Sequence, residues 1–492
     1  MLNRVKPLGR ILAEGGDDSS PHSLKRTLGP GALIAMGIGA IIGTGIFVLT
    51  GVAAATRAGP SLTLSFIVAG IVSALAALCY SEVASRIPIS GSAYTFAYAS
   101  LGELIAWIIG WDLILEYGVG AATVSIGWAG YLTTFLKGLG IVIPDTWQHS
   151  PFDLGPTGLP LHGFMNLPAA IGILLITLLL IRGTHESATV NSIIVTAKVL
   201  IVLFFIAVGI GHVNPANWHP YFPFGITGML GGAAFIFFAY IGFDAVSTAA
   251  EEARNPARDL PIGILGSLAI CTVLYIIVVA ILTGMVPYTH LNVPQPVAYA
   301  AEQVGLNWAG FIISIGAIAG LTTVMLTMMF GQSRVIFAMC RDGLMPRRFA
   351  AVHPIFRTPA LSTGILGIHI AIVAAFTPIS FVGSLTNMGT LAAFILVSIA
   401  LPILRKKYPE TKGFIVPFGP YVIPILSAVT AFGLMLSLSF GSPSIYRIPL
   451  PWFGFIIWLI IGFFVYFLYG RSHSVVALEE QAAANATIYD LR

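Results

Sequence analysis

The chain has 492 residues, of which 57% are hydrophobic and only 9% are charged, and its net charge is +4. Soluble globular proteins carry about 25% charged residues, so this composition excludes a soluble enzyme or binding module. It indicates a polytopic membrane protein whose main surroundings are membrane lipid, and it gives no reason to expect a nucleic-acid partner.

Long apolar runs follow one another along most of the chain. A membrane-spanning helix needs about 20 predominantly apolar residues. In chain order the sequence predicts twelve such helices, at residues 29–54, 61–86, 92–136, 167–182, 190–212, 226–250, 260–286, 306–340, 361–377, 384–404, 420–440 and 451–470. The third and the eighth are long enough to be tilted or to continue outside the membrane.

The distribution of lysine and arginine predicts the orientation, because these residues are enriched in cytoplasmic loops. With the N-terminus in the cytoplasm, 20 of the 24 Lys and Arg residues fall in inner segments, and only Arg57, Lys137 and Arg447 fall in outer ones. Lys198 is left over, inside the fifth predicted span. This asymmetry supports twelve spans and places both termini in the cytoplasm.

The first predicted span contains the glycine-rich stretch "GIGAIIGTGIF" at residues 37–47. Each glycine weakens a helix by about 1 kcal/mol relative to alanine, so the cluster predicts a break at Gly43, Thr44 and Gly45. The N–H groups at the start of the following half-helix, together with its dipole, attract an anion such as a carboxylate. The alternative is close helix packing, for which Gly39 and Gly43 have the right spacing.

The sixth predicted span is interrupted in the same way, by "AYIGFD" at residues 239–244. A break there exposes backbone carbonyl groups, which suit an ammonium group. The two breaks are five spans apart, and because five is odd the second unit is inverted relative to the first. Paired breaks in inverted halves mark the central site of a transporter, here one suited to the zwitterionic head of an amino acid.

Three segments of the chain resemble the amino acid–polyamine–organocation superfamily of permeases, and most closely the bacterial members of the cationic amino acid transporter family. They are "GIGAIIGTGIFVLTG", "FFAYIGFDAVSTAAEEARNPARDLPIGI" and "FGQSRVIFAMCRDGLMP". The resemblance runs from about residue 25 to 470. It implies an all-α, leucine-transporter-type fold with two inverted five-helix repeats and two further helices.

The same resemblance implies a domain division and a set of binding residues. The division is a cytoplasmic tail at 1–28, a first repeat at 29–212, a second repeat at 213–404, the last two spans with their preceding cytoplasmic loop at 405–470, and a cytoplasmic tail at 471–492. The residues expected to cradle the carboxylate side of the substrate are Ile41, Gly43, Thr44 and Gly45. Those expected to offer backbone carbonyls to its amino group are Phe238, Ala239 and Ile241.

Lys198 is predicted to couple transport to protons. It lies eight residues into its span, or ~12 Å at 1.5 Å per residue, and a charged side chain within the membrane is functional by default. The resemblance implies the same role, because a lysine on the fifth helix of proton-coupled members stands where sodium-coupled relatives bind an ion. Protons are therefore the expected coupling ion, with no metal or other cofactor. The alternatives are a lysine that reaches the interface or one neutralised by a carboxylate.

Several acidic residues are predicted near the membrane interior. Asp244 follows the second break and is a candidate gate or relay, although it could instead cap the lower half-helix. Glu116, placed near the outer half of the third span, is a candidate proton relay or a packing partner. Glu82 is expected to form a salt bridge or gate latch near Arg86, and Trp107 is expected to anchor at the membrane interface.

The sequence predicts a secondary active permease of L-amino acids, driven by proton symport into the cell, independent of sodium and located in the plasma membrane of a prokaryote. The chain has no phosphate-binding motif of an ATP-driven pump, and histidines such as His149, His162 and His353 fall in predicted loops, which argues against catalysis. An amino acid or polyamine exchanger and a non-transporting amino acid sensor are the alternatives. Cationic and small neutral amino acids are both candidate substrates.

Overall fold

The computed structural model describes residues 4–7, 9, 27–87, 92–154, 160–183, 188–410, 413–440, 444–445 and 448–479. Most of the predicted N-terminal tail and the end of the C-terminal tail lie outside these residues. The described chain is almost entirely helical, and its strands are the two-residue segments β1 (Ser444–Ile445) and β2 (Ile448–Pro449), which pair antiparallel.

The helices run in the following order. The α-helices are α1 (Pro30–Ile41), α2 (Thr50–Ala53), α3 (Leu62–Arg86), α4 (Ser92–Ser100), α5 (Glu103–Gly138), α6 (Leu167–Arg182), α7 (Ala188–Gly209), α8 (Gly225–Ile236), α9 (Ala245–Thr248), α10 (Pro256–Met285), α11 (Pro296–Gln303), α12 (Asn307–Arg341), α13 (Ala360–Phe376), α14 (Ile379–Lys407), α15 (Val422–Ser437), α16 (Leu450–Val465) and α17 (Arg471–His473). π-Helical turns occupy Gly45–Leu49, Ala54–Ala58 and Tyr466–Gly470. 3₁₀ turns occupy Gly59–Ser61, Asp145–Trp147, Ile210–His212, Pro215–Trp218, Phe237–Tyr240, Ala250–Glu252, Tyr288–His290 and Arg347–Ala350.

The outer surface of the bundle is suited to lipid. Eight helical stretches of the described chain are long and apolar enough to cross a membrane: Gly45–Arg86, Glu103–Gly138, Ser192–His212, Gly225–Ser247, Pro256–Met285, Asn307–Arg341, Ile379–Lys407 and Leu450–Glu479. Leucines of α6 such as Leu175 and Leu178 are more than half exposed, as expected for a helix whose outer face meets hydrocarbon. The protein is therefore a multi-pass membrane protein.

The third predicted span is two helices rather than one, because Gly102 separates α4 from α5. Gly102 has φ +97°, in the left-handed region that glycine adopts without steric cost. Since α5 begins only at Glu103 and continues to Gly138, its midpoint lies later than predicted. Glu116 consequently lies in the half of α5 nearer to Glu103, whereas the predicted span 92–136 placed it just past the midpoint.

Helix α5 lies at the centre of the bundle and contacts α4, α6, α12, α13 and α14. Its first turns are buried, and Trp107 is only 1% exposed. The Trp107 indole donates a hydrogen bond to the Gly462 carbonyl (3.0 Å) and stacks on Trp111 at a centroid distance of 5.6 Å. Trp107 thus joins α5 to α16, and its predicted role as an interfacial anchor was wrong.

Candidate functional site

The chain breaks at the glycine cluster of the first apolar segment, as predicted. Helix α1 ends at Ile41, the next residue turns to an extended conformation with ψ 104°, and helical structure resumes at Gly45. Within the described chain the backbone N–H groups of Gly43 and Thr44 form no hydrogen bond. The hydroxyl of Thr44 is also buried and unpartnered there. The break therefore presents free hydrogen-bond donors, which can bind an anionic group.

The second break follows α8. The chain passes through the 3₁₀ turn Phe237–Tyr240 and an extended Ile241 (ψ 133°) to Gly242, whose φ is +119°. The N–H of Gly242 donates to Oδ1 of Asp244 (3.2 Å). Asp244 therefore satisfies a donor within the break itself, but its side chain forms no capping hydrogen bond with the following helix α9 in the described chain, so the predicted capping of the lower half-helix is not observed.

The two breaks lie directly against each other. A Cβ atom built on Gly45 would lie 2.1 Å from Cα of Ala239, and one built on Gly242 would lie 2.7 Å from the carbonyl oxygen of Ala40. Gly43 faces α12, where its Cβ would be 3.2 Å from Cγ2 of Val324. The fold thus brings the predicted residues of the two segments together, although they are about 200 residues apart in sequence.

The site is closed in this conformation. The predicted residues with side chains at the breaks are at most 5% exposed: Ile41, Thr44, Phe238, Ala239 and Ile241. A cavity of about 800 Å³ lies elsewhere, near the Gly138 end of α5, and reaches inward as far as Val52 and Ile126. Tyr131 joins α5 to the first broken segment, since its hydroxyl donates to the Phe47 carbonyl (2.6 Å).

Polar side chains from distant helices satisfy carbonyl groups near the breaks. The Tyr275 hydroxyl donates to the Ile41 carbonyl (2.8 Å), and the Asn387 amide donates to the carbonyls of Ala234 (3.0 Å) and Phe235 (2.6 Å). A broken helix in a membrane needs such partners. Tyr275 and Asn387 were not predicted from the sequence, although an asparagine within an apolar run was an available signal.

Lys198 reaches helix α1, the part of the first broken segment that precedes the break. Its side chain is 3% exposed, and Nζ donates to the Gly39 carbonyl (2.9 Å). A Cβ on Gly39 would lie 2.3 Å from Cγ2 of Val195, and a Cβ on Gly320 would lie 3.1 Å from Cγ of Lys198. Both glycines are therefore packing positions that let the lysine approach α1. Lys198 forms no salt bridge with a carboxylate in the described chain.

Glu116 and Asp244 are neighbours. They lie within electrostatic range of each other, and Thr390 of α14 lies close to Glu116. Glu116 is 2% exposed, whereas Asp244 is partly exposed. Asp244 is bonded to Gly242, which packs against Ala40, and Lys198 is bonded to Gly39, so Asp244 and Lys198 contact adjacent parts of the two broken segments.

Glu82 lies in a buried ion cluster at one end of α3. Its carboxylate accepts from Arg405 Nε (2.6 Å) and Nη2, pairs with Arg86 Nε (2.9 Å), and accepts from the Val416 N–H (2.8 Å). The predicted pairing with Arg86 is confirmed, but the sequence analysis missed Arg405, which is 323 residues away. The cluster joins α3, α14 and the segment after α14.

Replacing Glu82 with glutamine should destabilise the protein by about 3 kcal/mol, because removing one partner leaves buried guanidinium charges uncompensated. The fall in thermal unfolding temperature of the detergent-purified variant measures this effect. Ser73→Ala is a matched control on the same helix, since the buried Ser73 hydroxyl has no partner within the described chain. Equal melting temperatures for Glu82→Gln and Ser73→Ala would contradict the expectation.

Comparison with known proteins gives matches over nearly the whole chain. The amino acid permease family matches residues 28–478. The chain is 49% identical over 476 residues to the methylthioribose transporter of Bacillus subtilis, covering 96% of this chain and 99% of that protein. It is 50% identical over 458 residues to the branched-chain amino acid permease BcaP of the same organism, covering 93% and 95%. It is 38% identical over 403 residues to the vacuolar cationic amino acid transporter 4 of Arabidopsis thaliana, covering 80% of this chain and 65% of that protein.

Proposed function

Because the chain belongs to the amino acid permease family of the amino acid–polyamine–organocation superfamily, we propose that it is a secondary transporter that carries L-amino acids into the cell by alternating access. Its relatives are transporters, so it is not an enzyme. The observation that carries the proposal is the contact of the two helix breaks at Gly45 and Ala239. Free N–H groups on one side and carbonyls on the other complement the zwitterionic head of an amino acid.

The proposed architecture has twelve spans, with two inverted five-helix repeats at 29–212 and 213–404 followed by two further helices. Support comes from the two broken segments, which occupy matching places in the two halves. Further support comes from the four shorter apolar helices that accompany the longer ones, Pro30–Ile41, Leu167–Arg182, Ala360–Phe376 and Val422–Ser437. In this arrangement the protein lies in the plasma membrane with both termini in the cytoplasm.

The substrate would lie between the two breaks. Gly43, Thr44 and Gly45 would face its carboxylate, with Ile41 beside them. The carbonyls of Phe238, Ala239 and Ile241 would face its amino group. This division follows the location of the unpaired donors at the first break, including the Thr44 hydroxyl.

We propose that protons drive the transport and that Lys198 carries the coupling proton. A protonated Lys198 holds the Gly39 carbonyl and so fixes the inner half of the first broken segment. Loss of its proton would weaken this contact and free α1 to move. Glu116 and Asp244 are the proposed relay or gate residues, since Asp244 is bonded to Gly242 of the second break and Glu116 lies within electrostatic range of Asp244.

Uptake should be independent of sodium at fixed pH, because the ammonium group of Lys198 takes the place of a bound cation. The measurement is uptake of labelled substrate into proteoliposomes with sodium or potassium as the external cation, at the same imposed pH gradient. Equal initial rates are expected. Uptake that requires sodium would overturn the assignment of Lys198.

The transport function itself is tested by uptake into proteoliposomes, with competition by each of the twenty amino acids, with and without an imposed pH gradient. Accumulation that depends on the gradient supports symport. Exchange of internal for external substrate without accumulation would point to an exchanger, and binding without flux would point to a sensor.

A second candidate substrate is methylthioribose. The relative that matches 96% of this chain is a methylthioribose transporter. Methylthioribose is uncharged, so it needs no groups in the site to bind a carboxylate or an ammonium group. Competition in the same uptake assay separates the two candidates. Methylthioribose should reduce the uptake of the labelled substrate only if it is itself a substrate. If no amino acid reduces that uptake, the amino acid proposal is rejected.

A further inference from the structure

Asp112 lies on α5 one helical turn before Glu116 and is not one of the proposed substrate-binding, relay or gate residues. Its side chain is 1% exposed, and neither carboxylate oxygen has a hydrogen-bond partner within the described chain. A Cβ atom built on Gly389 of α14 would lie 2.9 Å from Oδ1 of Asp112. The carboxyl group is therefore enclosed between two helices, with no donor to stabilise a negative charge.

The surroundings of Asp112 disfavour its ionised form. Glu116 on the same helix and Tyr80 of α3 lie within electrostatic range of Asp112, and both also lie within range of Asp244 beyond the second break. All four residues are acids. No lysine or arginine forms a salt bridge with Asp112 among the described residues. An isolated carboxylate in an apolar interior is far more costly than the neutral acid.

Among the described residues, the other elements packed against this part of α5 place neutral side chains near Asp112. Tyr94 of α4 packs against Gly110, and its hydroxyl donates to Asp342 (2.7 Å). Gln332 of α12 donates its amide to the Ile114 carbonyl (3.0 Å). On the side of α16, the Trp111 indole donates to a backbone carbonyl. These side chains are neutral.

We propose that Asp112 is protonated in this closed conformation and releases its proton when the inner side of the site opens, so that it is a second proton-binding group besides Lys198. This inference rests on the proposed proton coupling. On opening, the carboxyl O–H bond breaks, the proton passes to cytoplasmic water, and the carboxylate left behind becomes hydrated.

The location of Asp112 fits release toward the cytoplasm. It lies nine residues after Glu103, or ~14 Å along the helix, and Glu103 is at the end of α5 proposed to face the cytoplasm. Asp244 is the partly exposed member of the acidic group, so water reaches this member first.

The protonation state is tested without any transport assay. Infrared spectra of the full chain in liposomes should contain a carbonyl stretching band from a protonated carboxyl group that is lost in Asp112→Asn. Ser73→Ala, which removes another buried and unpartnered polar group, should keep the band. Identical carboxyl bands in the wild-type protein and Asp112→Asn would overturn the proposal.

The coupling role is tested by the ratio of pH-driven accumulation to substrate-for-substrate exchange. Asp112→Asn should lose the dependence of this ratio on pH, and an unchanged pH profile would overturn the role. If Asp112→Asn does not fold, Gly389→Ala, which presses on the carboxyl group, should shift the profile. Gly383→Ala on the same helix is the control, because its Cβ would have its nearest neighbour at 3.6 Å, and it should not shift the pH profile. Equal pH profiles for Gly389→Ala and Gly383→Ala would reject the coupling role of Asp112.

The failures of the two proposals are distinguishable. A wild-type protein that neither accumulates nor exchanges substrate contradicts the proposed transport function, whatever the infrared result. A wild-type protein that accumulates substrate on a pH gradient but has no carboxyl band assignable to Asp112 contradicts only the present inference.

Discussion

Replacing Gly45 with alanine is expected to abolish substrate binding while the protein still inserts into the membrane. A Cβ atom on Gly45 would lie 2.1 Å from Cα of Ala239, a backbone atom that cannot turn aside as a flexible side chain could. The two breaks must separate, and their donors and carbonyls then no longer face one substrate. We expect the affinity to fall by at least about 100-fold, or about 2.8 kcal/mol, as measured by calorimetric titration of the purified variant.

Two other glycines provide graded controls for this prediction. A Cβ on Gly43 would lie 3.2 Å from a methyl group of Val324, which can shift, so Gly43→Ala should weaken binding less than Gly45→Ala does. Leucine at either Gly43 or Gly45 would fill the proposed carboxylate site and should abolish binding. Gly383→Ala, with its nearest neighbours at 3.6 Å or beyond, should bind like the wild-type protein. Unchanged affinity in a folded Gly45→Ala variant would place the substrate elsewhere.

Replacing Lys198 with alanine should remove the pH dependence of substrate accumulation while exchange of substrate for substrate persists. The ammonium group holds the Gly39 carbonyl at 2.9 Å, so its charge acts on α1, the part of the first broken segment that precedes the break. Lys198→Arg should fail as well, because an arginine cannot release its proton. The measurement is accumulation of labelled substrate in proteoliposomes over a series of imposed pH gradients.

The control for Lys198 is Gly320→Ala on α12. Its Cβ would lie 3.1 Å from Cγ of the lysine, so it disturbs the packing of the side chain but leaves the ammonium group free to titrate. The pH dependence should survive in this variant. If either Lys198 variant still concentrates substrate on a pH gradient, the lysine is structural, and the proton path runs through Glu116 and Asp244.

The sequence by itself determined the features of this protein that depend on short stretches of chain. Long apolar runs predicted membrane helices, because the bilayer requires a minimum apolar length. The glycine cluster placed the first break, and α1 does end at Ile41 beside it. Lys198 was identifiable because a lone basic residue in an apolar run conflicts so strongly with its surroundings. The motifs also identified the family.

Only the tertiary structure decided which of these residues meet. It placed Gly45 against Ala239, joined Glu82 to Arg405, and enclosed Asp112 beside Gly389. In a soluble protein the polar and apolar faces of a helix reveal which side is buried. In a membrane protein both the lipid-facing side and the core-facing side are apolar, because lipid tails are as apolar as leucine. The sequence pattern therefore carries little information about which face meets which helix, and contacts between distant segments emerge only when the helices pack.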